Sequence, residues 1–244
     1  MHDFWEALPV GNGRLGAMDC GGVELERVIL NESSVWSGGN YDGNKPDAWK
    51  CLSEMRNNLF SGNILRAEQT LNTHFGWVGK RFDATQFGSY QTLGDLLVSF
   101  DESADPVTEY RRDLNLVTGV VTTRYTRSGA RFTRELVVPK REQVIALHLK
   151  ADQPGALSFL ATLARPAQVS TRRNGETYVM EGQLTFDWPG QQGVRYQALL
   201  GATRRGGKIT STDEGLRIEA ADEVTLLVSA GTDMHDKDFT TTVA

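Results

Sequence analysis

The stretch QVIALHLKA, residues 143–151, decides the fold class, because its large apolar side chains recur at every second position. Ile145, Leu147 and Leu149 point to one side of an extended chain, and His148 and Lys150 point to the other. A period of two is typical of a β-strand that buries one face and exposes the other. The stretch therefore predicts a strand whose apolar face lines a hydrophobic core.

Runs with the same period recur along the chain after residue 93. They are LSFLATLA at 157–164, RYQALLGAT at 195–203, LRIEA at 216–220 and EVTLLVSA at 223–230. Turn-forming dipeptides separate such runs, namely Ser128-Gly129, Pro154-Gly155, Asn174-Gly175, Pro189-Gly190, Gly206-Gly207 and Glu214-Gly215. Many short strands punctuated in this way predict a mainly β chain, folded as a large antiparallel sandwich of about a dozen strands.

Residues 46–75 change from this period to the spacing of a helix. The apolar residues of the first half are Trp49, Leu52, Met55, Leu59 and Phe60. Pro46 suits a first helical turn, and Gly62 suits a helix end. The apolar side of a second short helix comprises Ile64, Leu65, Ala67 and Leu71. We therefore predict a helical hairpin inserted among the strands, with Trp49 on its apolar face and packed in the core.

Length and composition are those of a globular domain. The 244 residues are 39% hydrophobic, which is enough to bury a core. Because no linker or internal repeat divides the sequence, we predict one β domain over residues 1–244. The 26 basic and 31 acidic residues give a net charge of −5 without a basic patch, which argues against nucleic acid as a partner. No apolar run reaches the roughly 18 residues of a membrane span.

The amino-terminal stretch and the cysteines leave the compartment open. MHDFWEALPV, residues 1–10, lacks the basic-then-apolar pattern of a signal peptide. Cys20 and Cys51 are too few for a disulfide framework. We expect two buried thiols, with a disulfide between them as the alternative.

Two short motifs suggest ligands but have simpler interpretations. GNGRLG, residues 11–16, matches the glycine pattern of dinucleotide-binding proteins, which requires a strand before it and a helix after it. More glycines and a strand-like run follow here, so we interpret the motif as a turn between β-strands. DMHDKD, residues 233–238, could hold a cation, but a solvated polar segment is the favoured interpretation. The histidines have no metal-ligand spacing, and we predict no metal or cofactor.

Paired carboxylates are the remaining catalytic option, because glycoside hydrolases use two of them across the scissile bond. The candidates are Glu24, Glu26, Asp95 and Asp113. Glu24 and Glu26 lie two positions apart on a predicted strand and so share one face. We interpret each of the four as a salt-bridge or turn residue, and we predict no catalytic residue in the chain.

The stretch LNESSVWSGG, residues 30–39, has a composition that fits neither a buried strand nor an ordinary turn. Its candidate substrate-binding or interdomain residues are Asn31, Glu32, Trp36, Ser37, Gly38 and Gly39. Tryptophan can stack on the C–H face of a sugar, and the chain has tryptophans at positions 5, 36, 49, 77 and 188. Trp36 is the strongest candidate for such stacking or for a domain contact, and a buried structural corner is the equal alternative.

Several motifs together resemble a known enzyme family. They are WEALPVGNGRLGAM, LNESSVWSGG, YQTLGDL, YRRDLNLVTGVVTTRY and FTRELVV, and they occur here in that order. The chain is similar over its whole length to the N-terminal domain of glycoside hydrolase family 95, the α-L-fucosidase-like enzymes. It resembles the family 65 N-terminal domain more distantly. Thr92 stands where family 95 usually has proline, and Ser33-Ser34 where an acidic residue and threonine are common.

The resemblance implies that catalysis belongs to another part of a longer protein. In that family a β super-sandwich is followed by a helical linker, an (α/α)6 barrel and a small β domain. The barrel carries the catalytic glutamate and the residues that position water, and the reaction inverts the anomeric configuration without a metal. The substrates are α-1,2-linked fucosides or, in some members, α-L-galactosides.

This chain is therefore expected to be a non-catalytic N-terminal domain without the barrel. The resemblance implies two partners, the (α/α)6 barrel of the same polypeptide and a fucosylated oligosaccharide in the intact enzyme. It also implies a periplasmic or secreted intact enzyme. A stand-alone carbohydrate-binding module is the alternative function. A structural domain that self-associates through an exposed apolar face is the third.

Overall fold

The computed structural model describes residues 4–39, 45–75, 88–185, 192–234 and 236–240, and these form two antiparallel β-sheets with one helical hairpin. The predicted mainly β fold with a short inserted hairpin is confirmed. The described residues form fifteen strands, a few more than the dozen predicted. Trp77, Trp188 and the Pro189-Gly190 turn lie outside the described residues.

Seven strands build the first sheet in the order β1-β2-β3-β4-β9-β14-β13. Their bounds are β1 Leu8–Gly11, β2 Leu15–Asp19, β3 Leu25–Glu32, β4 Gly94–Phe100, β9 Leu157–Ala164, β13 Lys208–Ser211 and β14 Leu216–Ala221. Eight strands build the second sheet in the order β10-β11-β12-β15-β8-β7-β6-β5. Their bounds are β5 Thr108–Asn115, β6 Val120–Arg127, β7 Ala130–Val137, β8 Ile145–Ala151, β10 Ser170–Asn174, β11 Thr177–Thr185, β12 Gln192–Arg205 and β15 Glu223–Thr232.

The alternating strands place their apolar faces between the two sheets. In β8, Ile145, Leu147 and Leu149 are buried while His148 is only partly buried, as its period of two predicts. Leu147 pairs with Leu226 of β15, which faces the same interior. Burying a side chain of this size contributes about 1.5–3 kcal/mol, so the shared core of both sheets is the main stabilising term. No helix within the described residues is long and apolar enough to cross a membrane.

The helical hairpin consists of α1, Leu52–Phe60, and α2, Ile64–His74. Gly62 has a φ of 77° in the turn between them, which favours glycine, and the Asn63 side chain caps α2 by accepting a hydrogen bond from Arg66 N. A 3-10 helix at Ala48–Cys51 precedes α1, so the α-helix begins later than Pro46 suggested.

The prediction that Trp49 lies in the core is wrong. Its side chain is 69% exposed. Helical spacing shows which side chains share a face, but it does not show what that face meets. Within the described residues, the two helices contact each other more than they contact any strand. Within the described part of the chain, the apolar face of the hairpin is therefore largely uncovered.

All four carboxylates proposed from the sequence form salt bridges, as predicted. Asp95 lies 3.0 Å from Arg27, and Asp113 lies 3.5 Å from Arg124. Glu24 is exposed, 3.5 Å from Arg127. Both cysteines are free thiols, Cys20 buried and Cys51 partly buried.

Glu26 forms an ion pair between the sheets. Its carboxylate lies 2.9 Å from Arg134 of β7, and both side chains are almost fully buried. Arg134 points inward because it shares the alternation of β7 with buried Leu136. Asp19 is buried beside this pair and lies 3.6 Å from Arg112. Burial raises the pKa of Glu26 to about 7, opposed by the positive charge of Arg134.

Candidate functional site

The 30–39 segment crosses from one sheet to the other at one end of the sandwich. Leu30 and Asn31 still belong to β3 of the seven-stranded sheet. Further along, the Trp36 carbonyl accepts a hydrogen bond from Val194 N of β12, at 3.2 Å, in the eight-stranded sheet. The segment thus ties the two sheets together through its backbone.

The second half of the segment pairs with residues 88–91. Ser37 N donates to Ser89 O at 3.0 Å, Ser89 N donates to Ser37 Oγ at 2.8 Å, and Trp36 forms an antiparallel bridge with Tyr90. Gly88 has a φ of 67°, and a Cβ there would lie 2.1 Å from Gly38 N. The two backbones therefore approach closely only because Gly88 lacks a side chain.

Glu32 is the buried acid of this end of the sandwich, with 3% of its surface exposed. One carboxylate oxygen accepts hydrogen bonds from Ser34 N at 2.7 Å and from Ser34 Oγ at 2.5 Å. Because a hydroxyl has one proton, Thr232 must donate the 2.6 Å hydrogen bond that it shares with Ser34 Oγ. The other carboxylate oxygen lies 3.5 Å from Arg14. These donors offset the cost of burying the charge.

Arg14 comes from the GNGRLG motif, which forms the turn between β1 and β2, as predicted. The Asn12 side chain closes this turn by accepting hydrogen bonds from the backbone N–H groups of Arg14 and Leu15. The Arg14 guanidinium then donates to Ala230 O at 2.8 Å and to Gln143 Oε1 at 2.7 Å. One arginine therefore links the turn between β1 and β2 to strand β15.

A cleft of about 760 Å³ opens beside these residues, and we call it the corner cleft. Its floor is the outer face of the eight-stranded sheet, including Leu199, Gly201 and Leu227. The polar side chains that line it are Arg14, Glu32, Ser34, Glu142, Gln143, Ser229, Thr232 and Asp236, with Phe239 at one side. An apolar floor with several convergent polar groups is the usual make-up of a small-molecule pocket, and the volume is within that range.

The side chains that line the corner cleft offer several hydrogen-bond donors and acceptors. Carboxylates, hydroxyls and a guanidinium can bind the hydroxyl groups of a sugar or the backbone of a docked peptide. Nearby, burial and, to a lesser extent, the negative charge of Glu32 raise the pKa of Tyr90. The described residues contain no group of three metal-ligating side chains. In the described part of DMHDKD, Asp233 pairs with Arg195 at 2.9 Å.

The structure separates the predicted site residues into three groups. Glu32 lines the corner cleft. Ser37 and Gly38 are buried against residues 88–91, and Asn31 accepts a hydrogen bond from Tyr90 Oη at 3.1 Å. Trp36 is half-buried, and Gly39 is exposed. Of the other described tryptophans, Trp5 is exposed like Trp49.

Sequence reasoning did not identify Arg14 or Thr232 as residues that surround Glu32 and line the corner cleft. Arg14 gave no clear signal, since an arginine in a surface turn is common. Thr232 lies 198 residues from Ser34, and no pattern along the chain connects them.

Comparisons with known proteins place this sequence in a family. The profile described as "Glycosyl hydrolase family 65, N-terminal domain" matches residues 2–237. Alpha-L-fucosidase 2 of Arabidopsis thaliana is 28% identical over 98% of this chain. Probable alpha-fucosidase A of Aspergillus oryzae is 24% identical over 93% of it, and the Aspergillus niger protein of that name is 29% identical over 60%.

The matched regions are only parts of these relatives. They cover 30% of the Arabidopsis protein, 31% of the Aspergillus oryzae protein and 18% of the Aspergillus niger protein. The chain thus spans less than a third of the length of the relatives that it matches. With the profile covering nearly every residue, this two-sheet chain belongs to the family of glycosyl hydrolase family 65 N-terminal domains, and its named relatives are α-fucosidases.

Proposed function

We propose that the chain is the non-catalytic N-terminal domain of a larger α-L-fucosidase-like inverting glycoside hydrolase, which cleaves α-fucosides or α-L-galactosides. The observation that supports this most directly is the match to α-L-fucosidase 2, which covers 98% of the chain but 30% of that protein. The remaining length of such a relative offers room for a catalytic barrel against which this domain packs.

The states of the carboxylates support a non-catalytic role. A glycoside hydrolase needs one acid free to donate a proton and a second one facing a water or the sugar. Here Glu26, Asp95 and Asp113 are engaged by arginines, and Glu32 is engaged by Ser34 and Arg14. These groups stabilise the fold, so the reacting groups are assigned to the rest of the longer polypeptide.

The 30–39 segment is the part of the domain that we assign to the barrel interface and to one wall of the sugar pocket. It closes one end of the sandwich, Trp36 remains half-buried there, and the corner cleft opens beside it. Its backbone is fixed by both sheets, so its side chains are held in place for a neighbour. A fixed wall binds a partner at lower entropic cost than a mobile loop.

Steady-state kinetics of the full-length enzyme test this assignment. Replacing Trp36 by Ala should raise KM or lower kcat on a fucosylated oligosaccharide, while Trp5→Ala, at an exposed tryptophan, should leave both unchanged. Unchanged kinetics of Trp36→Ala together with a lower melting temperature would instead make Trp36 a structural corner. The chain 1–244 alone should show no fucosidase activity.

The corner cleft supports one alternative function, that of a stand-alone carbohydrate-binding module. Its volume of about 760 Å³ and its polar lining suit a small saccharide. Calorimetric titration of chain 1–244 with fucosylated oligosaccharides separates the two functions. Binding at millimolar concentration or tighter supports the module, and no heat of binding supports a domain that depends on its barrel.

A further inference from the structure

The tip of the helical hairpin carries a cluster of exposed apolar side chains. Leu59 and Phe60 end α1, and Ile64 and Leu65 begin α2. These four side chains are between 44% and 88% exposed. Trp49 and Leu71, further from the tip, are 69% and 46% exposed. Soluble proteins rarely expose so many large apolar groups together unless something binds them.

The tip has a defined backbone rather than a loose one. Ser61 N, Gly62 N and Asn63 N donate to the carbonyls of Asn57, Leu59 and Asn58, at distances of 2.8–3.1 Å. Gly62 adopts the positive φ that such a helix end requires. The apolar side chains are therefore presented on a fixed turn, which lowers the entropic cost of docking.

The hairpin also has few stabilising contacts with the other residues that the structure describes. Its helices have 9 and 11 residues, and isolated helices below about 12–15 residues are marginal in water. Only Ala67 and Thr70 of the two helices are buried. Helices of this length normally gain their stability from packing an apolar face against a partner.

We infer that the hairpin tip, formed by Leu59, Phe60, Ile64 and Leu65, is a docking surface for the remainder of a longer polypeptide, where it inserts between apolar side chains. This inference rests on the proposed function. The argument for this occupant is length, because the region that matches this chain is only 30% and 31% of two relatives, which are thus more than three times as long as that region. A covalently linked partner is present at high effective concentration, so a small apolar tip is sufficient to hold it.

A second exposed apolar pair provides an internal control. Leu116 and Val117, in the turn between β5 and β6, are 88% and 96% exposed. They lie in a four-residue connection, 116–119, without a helix to extend their apolar surface. We assign no partner to this pair.

Hydrogen exchange tests the docking surface. Backbone amides of α1 and α2 should exchange at least about tenfold more slowly in the full-length enzyme than in chain 1–244, because docking suppresses local opening of the hairpin. Amides of residues 116–119 should exchange at the same rate in both. Equal hairpin exchange in the two proteins would overturn the inference.

A pair of substitutions makes the test specific to the side chains. Phe60→Ser with Leu65→Ser should leave the melting temperature of chain 1–244 within error, since both side chains are already exposed. In the full-length enzyme the same pair should abolish the added protection of the hairpin, while Leu116→Ser with Val117→Ser should retain it. Retained protection in the Phe60/Leu65 variant would contradict the inference.

Two further results separate this inference from the proposed function. A full-length protein that hydrolyses fucosides but shows no added hairpin protection would overturn the docking surface alone. A full-length protein without glycoside hydrolase activity would overturn the proposed function, whatever the exchange rates. If the added protection depends on protein concentration and accompanies dimer formation in light scattering, a second copy occupies the tip, and the inference is wrong.

Discussion

The molecule holds two buried glutamates beside an arginine, Glu26 with Arg134 between the sheets and Glu32 with Arg14 at the end of the sandwich. Glu32 accepts from two donors of Ser34, and Arg14 itself bonds Ala230 and Gln143. Glu26 accepts from Gly21 N at 3.1 Å and faces Arg134, whose guanidinium nitrogens make no well-aligned hydrogen bond within the described part of the chain. The protein therefore supplies several hydrogen bonds to the glutamate and arginine at the end of the sandwich. It supplies few to the glutamate and arginine between the sheets.

The difference shows what compensates a buried charge. The Arg134 guanidinium lies 5.5 Å from the Tyr125 ring and 5.9 Å from the Phe100 ring, so aromatic faces replace part of its hydration. Asp19 adds a second negative charge beside Glu26, and burial raises the pKa of both carboxyl groups. The interior pair is held by charge balance, and the corner pair is held by directed hydrogen bonds.

The largest expected effect comes from removing the interior cation. Arg134→Met should lower the free energy of unfolding by about 3–5 kcal/mol at neutral pH, because it leaves the buried Glu26 carboxyl without its cation, while Asp19 keeps Arg112 at 3.6 Å. Urea denaturation measures this loss. The double variant Arg134→Met with Glu26→Gln should lose less than the single one. A loss below about 1 kcal/mol for Arg134→Met would mean that water already solvates the pair.

The pH dependence of stability comes next in size. Glu26 has an ordinary pKa of 4.5, and burial raises it to about 7 in the folded chain. Between these values the folded chain holds a proton that the unfolded chain has released. The contribution of Glu26 to the free energy of unfolding should therefore be greatest below pH 4.5 and fall as the pH rises to about 7. The contribution is on the order of 3 kcal/mol.

Matched variants assign this slope to its group. Glu26→Gln should flatten the dependence of the urea midpoint on pH over this window. Glu24→Gln, two residues earlier and exposed, should leave the dependence as it is. A slope that survives in Glu26→Gln would assign it to another group, with Asp19 the first to be tested.

The corner pair should respond more weakly to the loss of one partner. Ser34→Ala removes one donor to Glu32 and the acceptor of Thr232, so it should cost about 1–3 kcal/mol. Ser33→Ala, at the exposed neighbour, should change stability by less than about 0.5 kcal/mol. Thermal unfolding of both variants measures the difference. Equal melting temperatures would mean that the Ser34 hydroxyl contributes nothing at this corner.

The two regions also differ in how far the sequence predicts them. The strands are predictable, because Ile145, Leu147 and Leu149 show their buried face by alternation alone. The same alternation predicts that Arg134 is buried, since it shares a face with Leu136. The sequence does not show that Glu26 is its partner. Pairing β4 with β9, or Ser34 with Thr232, depends on three-dimensional closure that no local pattern encodes. The prediction that Trp49 lies in the core was wrong for the same reason.

The hydrogen bond between Ser34 and Thr232 has a consequence for the order in which the molecule forms. Its two hydroxyls are separated by 198 residues, and ribosomes add about 5–20 residues each second. The early strands β1–β3 therefore wait about 10–40 s during synthesis before β15 emerges to complete the corner. Until then Glu32 lacks its final surroundings. A chain that ends before Thr232 cannot complete the hydrogen bonds around Glu32 and Ser34.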